Sequence, residues 1–417
     1  MTKILQIAKK ACEYSRRHFK FWDVNFNNYS DEKLYTGLRI LSTMNQDRLL
    51  IYGAAFAIMG HSNAVIPILP ELESLYKVDV GGFSSSLLFS AYFLGALATM
   101  LPFGILADRF GNLRFIGFGV VLTAISGLAI LLSENLWILL ISRFIEGSAC
   151  GAFFPAAFAT LSKSKDPRRY IGEFTFLFNA GLAAGALLSG LLAETYLKGA
   201  IFIFTFMAFL LTVFLILRHR ELIHPPNIGK SGALPDSLVN LYRDSYKEIK
   251  ELLSHSNSGI WLSSFLLNGV IGVLLAYYSD YSLNTLTKTQ LGSSIASLYV
   301  CAMITSLLVG YFRVKEKTLI RIGVIFSILG ALFAIKYPFL GFSSLGGGSG
   351  IAAVGFALAA AKINADRGLV MGLFNTTIYA GLSLAPIIAG IFTGFLSYEK
   401  LFIANGCILA GALILKE

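Results

Sequence analysis

Apolar residues run through this chain in long blocks parted by short polar turns, and no block sustains an alternation of apolar and polar positions. A helix needs about 20 apolar residues to cross ~30 Å of hydrocarbon. Blocks at about 49–70, 83–107, 113–132, 136–161, 171–194, 198–218, 258–283, 290–312, 318–335, 338–361, 368–394 and 399–415 predict twelve membrane-spanning helices, spans 1 to 12. The missing alternation argues against an outer-membrane barrel. One long polar stretch interrupts the series at 219–257. It opens as loop, and then SLVNLYRDSYKEIKELL sets Leu238, Leu241, Tyr242, Ile249 and Leu252 on one helical face.

The chain therefore divides into a basic segment at 1–48, six spans at 49–218, a linker with an amphipathic helix at 219–257, and six spans at 258–417. An internal repeat agrees with the division, because AGLAAGALLSG at 180–190 aligns with AGLSLAPIIAG 200 positions later. In that alignment Gly181 and Gly190 of span 5 match Gly381 and a closing glycine of span 11, while Gly185-Ala186 stands where span 11 has alanine and Pro386. These residues are read as helix-packing or gating positions. The predicted fold is an all-α integral membrane protein of two pseudo-symmetric six-helix bundles.

Composition sharpens this. Hydrophobic residues make up 55% and charged residues 14% of the 417; soluble domains carry about 25% charged residues. The net charge of +10 is placed for topology rather than for nucleic acid. Lys77, Lys198, Lys288, Lys336 and Lys400 fall on one side and Arg143 within a span, leaving 28 of the 34 Lys and Arg on the other side. That asymmetry puts both termini in the cytoplasm. Residues 1–48 carry nine Lys and Arg, with Ile4, Leu5, Ala8, Ala11, Cys12, Phe19 and Trp22 near helical spacing. They read either as an amphipathic helix on anionic lipid or as a topogenic extension. The four cysteines, Cys12, Cys150, Cys301 and Cys407, form no C-x-x-C pair, so neither a disulfide framework nor a metal site is expected. No cleavable signal peptide precedes span 1.

Candidate chemistry lies inside the spans. Glu146 falls ~15 Å into span 4, near the bilayer midplane. An ionisable group there costs about 2.5–3.5 kcal/mol and needs a cavity or a partner. Arg143 is three residues away, on the same helix face. Burial disfavours the charged carboxylate and the guanidinium favours it, a balance that suits a proton carrier. The pair reads as a proton-coupling site or as a static ion pair. His61, at similar depth in span 1, is a second protonatable candidate or a packing histidine. Asn63, Asn179, Asn268 and Asn375 are polar residues within spans that could line a solute path or cross-link helices. Tyr277, Tyr278 and Tyr281 close span 7 and read as an interfacial aromatic belt. The glycines at 346–350 read as a flexible gate. Pro67 and Pro70 break or kink the exit of span 1.

The turn LPFGILADRFGNLRF, 101–115, holds Gly104, Asp108, Arg109, Gly111 and Arg114. It resembles the loop between helices 2 and 3 of the major facilitator superfamily of transporters, G-x-x-x-D-R-x-G-R-[RK]. R-F-I-E-G-S-A-C-G resembles the superfamily's helix-4 pattern, R-x-x-Q-G-x-G. The P-I-L-P exit of span 1 and the glycine run of span 5 look like its drug/proton antiporter branch. The resemblance implies that Asp108, with Arg109 and Arg114, forms a cytoplasmic conformational latch. In the superfamily the arginine of the helix-4 pattern is tied to proton coupling, which implies the same for Arg143. It departs from the family at Asn112 and Leu113, where basic residues are usual, at Glu146 and Ala149, and at Ala186 in place of proline. GYFRVKEK at 310–317, the second-half counterpart of the turn, has no acid at the place that matches Asp108.

With no phosphate-binding loop or cofactor motif in the sequence, an ion gradient is the expected driving force. The expected function is secondary transport of a small solute across the cytoplasmic membrane by alternating access, as proton-coupled efflux of an amphipathic or hydrophobic compound by a monomer. No nucleic-acid partner and no cofactor are expected. The alternatives are nutrient import on the same fold, a transporter-like sensor or scaffold, and an intramembrane enzyme, for which no catalytic arrangement is present.

Overall fold

The computed structural model describes residues 31–74, 83–133, 135–164, 166–218, 258–310, 312, 314–363, 367–411 and 413. The basic N-terminal segment up to residue 30 and the 219–257 linker lie outside the described residues. The chain forms two units, Met1–Leu49 and Leu50–Glu417; the packing below concerns the second. Among the described residues there is helix and no strand. The long helices are α1 (Asp31–Ala64), α2 (Phe83–Phe110), α3 (Asn112–Leu132), α4 (Leu136–Ser162), α5 (Pro167–Leu192), α6 (Gly199–Arg218), α7 (Ser258–Tyr281), α8 (Lys288–Val309), α9 (Glu316–Ala334), α10 (Pro338–Ala360), α11 (Arg367–Phe392) and α12 (Tyr398–Gly411). Eleven contain stretches long and apolar enough to cross a membrane; α12 is described over only 14 residues.

Local sequence explains where helices start. Asn135 accepts the Trp137 N–H ahead of α4, and Asp166 accepts the Arg169 N–H ahead of α5. Thr287 and Gln290 form a reciprocal capping box at α8. Pro167 and Pro338 open α5 and α10, where a missing N–H costs nothing. The carbonyls at the end of α3 are met by a cation, since Lys198 Nζ donates to Ile130 O at 2.9 Å and Leu131 O at 3.2 Å.

Packing repeats with a shift of six helices. Helix α4 lies against α2 and α3, and α10 lies against α8 and α9; α3 meets α6, and α9 meets α12. The glycines of the internal repeat take equivalent places. A methyl group on Gly181 would strike Phe56 O of α1, and one on Gly381 would strike Phe265 O of α7. Gly185 rests on Gly60, and Pro386 of α11 touches the face that Gly272 presents from α7. Close approach of backbones is what small residues permit in membrane helices. The two sets of six meet through α2 with α11 and α5 with α8, where Gly190 faces Gly292. Outward faces stay apolar: Leu128, Leu132, Phe206, Phe209, Phe326 and Phe333 are all exposed. Exposed apolar area on this scale marks a lipid-facing surface.

Two sequence expectations are corrected. Tyr277 and Tyr278 are buried rather than in an interfacial belt. Their hydroxyls donate to Pro386 O at 2.9 Å and Ala334 O at 2.5 Å, so they pin α7 to neighbouring helix backbones. The glycines at 346–350 sit inside unbroken α10 rather than at a hinge. Gly346 and Gly350 approach Leu298 O and Ala302 O of α8, while Gly348 approaches Gly323 O of α9. Their small size wedges α10 between two partners.

Candidate functional site

Three ionisable side chains meet inside the first six helices. Glu146, in the middle of α4, places Oε1 at 2.5 Å from His61 Nδ1 of α1 and Oε2 at 2.5 Å from Arg143 Nη1. His61 and Glu146 are 0% exposed and Arg143 is 1% exposed, so water reaches none of them. Arg143 spends its remaining capacity on α2. Its Nε donates to Leu88 O at 3.3 Å, and the guanidinium carbon lies 4.9 Å from the centroid of the Tyr92 ring. A planar guanidinium suits such a site, because it can bond carboxylate and carbonyl and stack on an aromatic face together. Tyr92 OH pairs with Cys150 Sγ at 2.8 Å, one turn beyond Glu146.

Glycines make the cluster possible. Gly147, beside Glu146, lies so close to Tyr92 O that no side chain fits there, and Gly95 of α2 meets Phe144 O in the same way. The backbones of α2 and α4 therefore touch, which brings Arg143 to Leu88 and Tyr92. On the far side of the imidazole, a methyl group on Gly127 of α3 would strike both His61 Nε2 and Thr205 Oγ1 of α6. With Glu146 ionised against Arg143, the His61 hydrogen sits on Nδ1. Nε2 is buried without a hydrogen-bond partner. In this form the charges of Arg143 and Glu146 offset one another and the unpartnered Nε2 carries no hydrogen.

Other sequence candidates fall elsewhere. Asn63, half a turn from His61, donates to Leu182 O of α5 at 2.6 Å and accepts the Tyr299 hydroxyl of α8 at 3.2 Å, joining the two sets of helices. Asn179 and Asn268 donate to carbonyls of their own helices, Thr175 O and Ser264 O. Asn375 is half-buried on α11. In the α2–α3 turn, Gly104 faces Pro155 of α4 and Gly111 adopts φ +100°, a conformation side chains disfavour. Arg109 is exposed, and Arg114 Nη1 donates to Phe110 O at 3.3 Å. The Asp108 side chain lies outside what the structure describes. No motif in the sequence marks Leu88, Tyr92, Thr205 or Tyr299. Of the partners, only Cys150, at i+4 from Glu146, carried a spacing signal.

The described helices, long and apolar enough to span a membrane, enclose an ionic cluster. The fold is that of solved transporters. It matches the crystal structure of nucleoside transporter NupG with a TM-score of 0.67 at 15% identity, over 88% of this chain and 97% of that one. It matches a bacterial homologue of the human lysosomal transporter Spinster, in an inward-facing and unoccupied conformation, with a TM-score of 0.68 at 14% identity, over 88% and 95%. The chain belongs to the Major Facilitator Superfamily, whose family profile matches residues 51–283 and 258–416. It is similar to the Quinolone resistance protein NorA of Staphylococcus aureus (strain MSSA476), 25% identical over 402 residues, 89% of this chain and 96% of that protein. A shorter stretch of 116 residues is 34% identical to a putative inorganic phosphate cotransporter of Drosophila ananassae, covering 26% of this chain and 23% of that protein. The protein is thus a multi-pass membrane transporter of small solutes and not an enzyme.

Proposed function

We propose that the protein exports small amphipathic or hydrophobic compounds in exchange for protons, with Glu146, Arg143 and His61 as the coupling site. The observation that carries this reading is the buried Glu146 carboxylate held between Arg143 and His61. A proton taken up at His61 turns a neutral cluster into a cationic one inside a low-dielectric bundle. Such a change is costly enough to favour a different helix arrangement. Arg143 holds Glu146 ionised while His61 loads and unloads. Similarity to NorA along nearly the whole chain supports efflux and makes quinolones the first compounds to test.

The two bundles, 49–218 and 258–417, rock about a midplane site, with both termini in the cytoplasm of a cell whose cytoplasmic membrane holds the protein. Asp108, Arg109 and Arg114 act as the cytoplasmic latch, with Gly104 and Gly111 shaping the turn that carries them. The solute path runs between the bundles, where Asn63 and Tyr299 meet and where Asn179, Asn268 and Asn375 stand on α5, α7 and α11. The monomer is the working unit.

The test is transport by purified protein in proteoliposomes under an imposed pH gradient, with a panel of quinolones and other amphipathic cations. Substrate movement against the proton flow is expected. Glu146→Gln should abolish the pH-driven component, and unchanged pH-driven transport by that variant removes Glu146 from the mechanism. Solute accumulation on the side toward which protons flow would instead select the import reading.

A further inference from the structure

The exit of α1 is built differently from the other helix ends. Pro67 and Pro70 turn the chain through a 3-10 segment, Ile66–Ile68, into a short helix, Leu69–Ser74. In a continuing α-helix the N–H of residue 70 would bond to Ile66 O, but proline has none. Ile66 O accepts the Leu69 N–H and keeps a lone pair for another donor. That donor is Ser279 Oγ at 2.7 Å, buried near the end of α7. The next carbonyl, Pro67 O, takes Lys288 Nζ at 3.1 Å, and the same ammonium reaches Glu71 Oε1 at 2.5 Å. Lys288 is the first residue of α8 and is 17% exposed. Close by, Ser85 Oγ of α2 donates to Glu73 Oε2 at 2.9 Å and stands 3.4 Å from Asp280 Oδ1. Every one of these α7 and α8 groups belongs to the last six helices, and every acceptor on 66–71 belongs to the first six.

We propose that the Ile66–Glu71 exit is a carbonyl clasp made by its prolines. Ser279 and Lys288 grip it when this end of the transporter is closed and let go when it opens. The Ile66 carbonyl, freed by Pro70, is a fixed target for Ser279, so the grip depends on the geometry of the exit and not only on the Glu71 charge. The clasp follows directly on the end of α1, with His61 five residues before Ile66, so a shift of α1 at the ionic cluster is passed to the acceptors through a short stretch of chain. The inference rests on the alternating-access part of the proposed function and needs no proton coupling.

The test measures distance, not transport. Spin labels at Tyr196→Cys and Leu283→Cys, both on exposed positions beyond α5 and α7, report the separation of the two sets of helices at this end. The background is the full chain in nanodiscs with the native cysteines replaced. The parent is expected to show a short-distance and a long-distance population. Ser279→Ala and Pro70→Ala, which respectively remove the donor and offer Ile66 O a competing N–H, should each raise the ratio of long to short about fivefold, the effect of one lost hydrogen bond. Lys288→Met should do at least as much, and Lys288→Arg should restore the parent ratio. Two populations whose ratio stays at the parent value in both Ser279→Ala and Pro70→Ala overturn the clasp while leaving alternating access intact. A single unmoving population in parent and variants overturns both.

Discussion

Glu146 Oε1 and His61 Nδ1 stand 2.5 Å apart although 85 residues separate them in the chain. The contact joins α4 to α1 through two titratable groups with no access to water, and Arg143 occupies the other carboxylate oxygen. A proton on this cluster is therefore felt by three side chains at once. His61→Gln removes the imidazole while keeping a polar side chain for Glu146. We expect a folded protein that binds substrate but no longer accumulates it under a pH gradient in proteoliposomes. Full pH-driven transport by His61→Gln would confine the imidazole to packing.

The energetics of the Arg143–Glu146 pair give a sharper contrast. Breaking a buried ion pair strands a charge and costs about 3–5 kcal/mol, whereas replacing both members by apolar residues of similar volume is often neutral. Glu146→Gln, or Arg143→Met alone, should lower thermal stability in detergent by several degrees, while Arg143→Met with Glu146→Leu should recover most of the loss. The double variant should still fail to couple transport to protons. Recovery of folding without recovery of coupling is the signature of a pair kept for function.

How much of this was written in the sequence follows from what a membrane demands. A span must be apolar over its whole length, so twelve helices can be read directly, and the i, i+3 spacing of Arg143 and Glu146 announces their pairing. The matching glycines of 180–190 and 380–390 foreshadow the contacts with Phe56 and Phe265. Contacts between helices leave no such trace. Nothing in the order of residues says that His61 meets Glu146, that Arg143 lies over Tyr92, or that Lys288 reaches back to Pro67. Tyrosines at a helix end look alike whether they face lipid or protein, so the order of residues does not distinguish a belt from the buried pair Tyr277 and Tyr278. Glycines in a row suggest a hinge unless the neighbouring backbones are known, as at Gly346 and Gly350.

Glycine contacts predict opposite outcomes for two similar substitutions. A methyl group on Gly147 would overlap Tyr92 O, a backbone atom that cannot move without separating α2 from α4. Gly147→Ala should destabilise by about 1–3 kcal/mol and impair transport, because it displaces Arg143 from Leu88. Gly172 of α5 has nothing within 4 Å of an added methyl group. Gly172→Ala should stabilise by up to about 1 kcal/mol through helix propensity alone. Thermal unfolding of both variants in one detergent checks the pair.

The α2–α3 turn makes a separate claim. Gly111 at φ +100° joins α2 to α3 without a break of more than one residue. Gly111→Ala should cost about 1–3 kcal/mol of backbone strain. Asp108→Asn, which leaves that geometry alone, should instead shift the protein toward the state open at this end. Spin-label distances across the turn read the shift. A distribution unchanged by Asp108→Asn would reduce the turn to a structural connection.

Arg143→Lys asks whether the site needs a positive charge or this particular cation. Lysine keeps the charge and can reach one partner. The guanidinium serves three: Glu146 Oε2, Leu88 O and the Tyr92 face. Losing a charge-assisted bond to a buried carbonyl and the stacking over Tyr92 removes about 2–4 kcal/mol. We therefore expect Arg143→Lys to lower thermal stability in detergent and to slow pH-driven transport by at least about tenfold, each 1.36 kcal/mol being a factor of ten. Its transport should fall below that of Tyr92→Phe, which keeps the aromatic face and gives up only the bond to Cys150. If Arg143→Lys instead matches the parent in both assays, charge alone suffices at this position. The fork that ties α4 to α2 would then serve packing, and coupling would rest on His61 and Glu146.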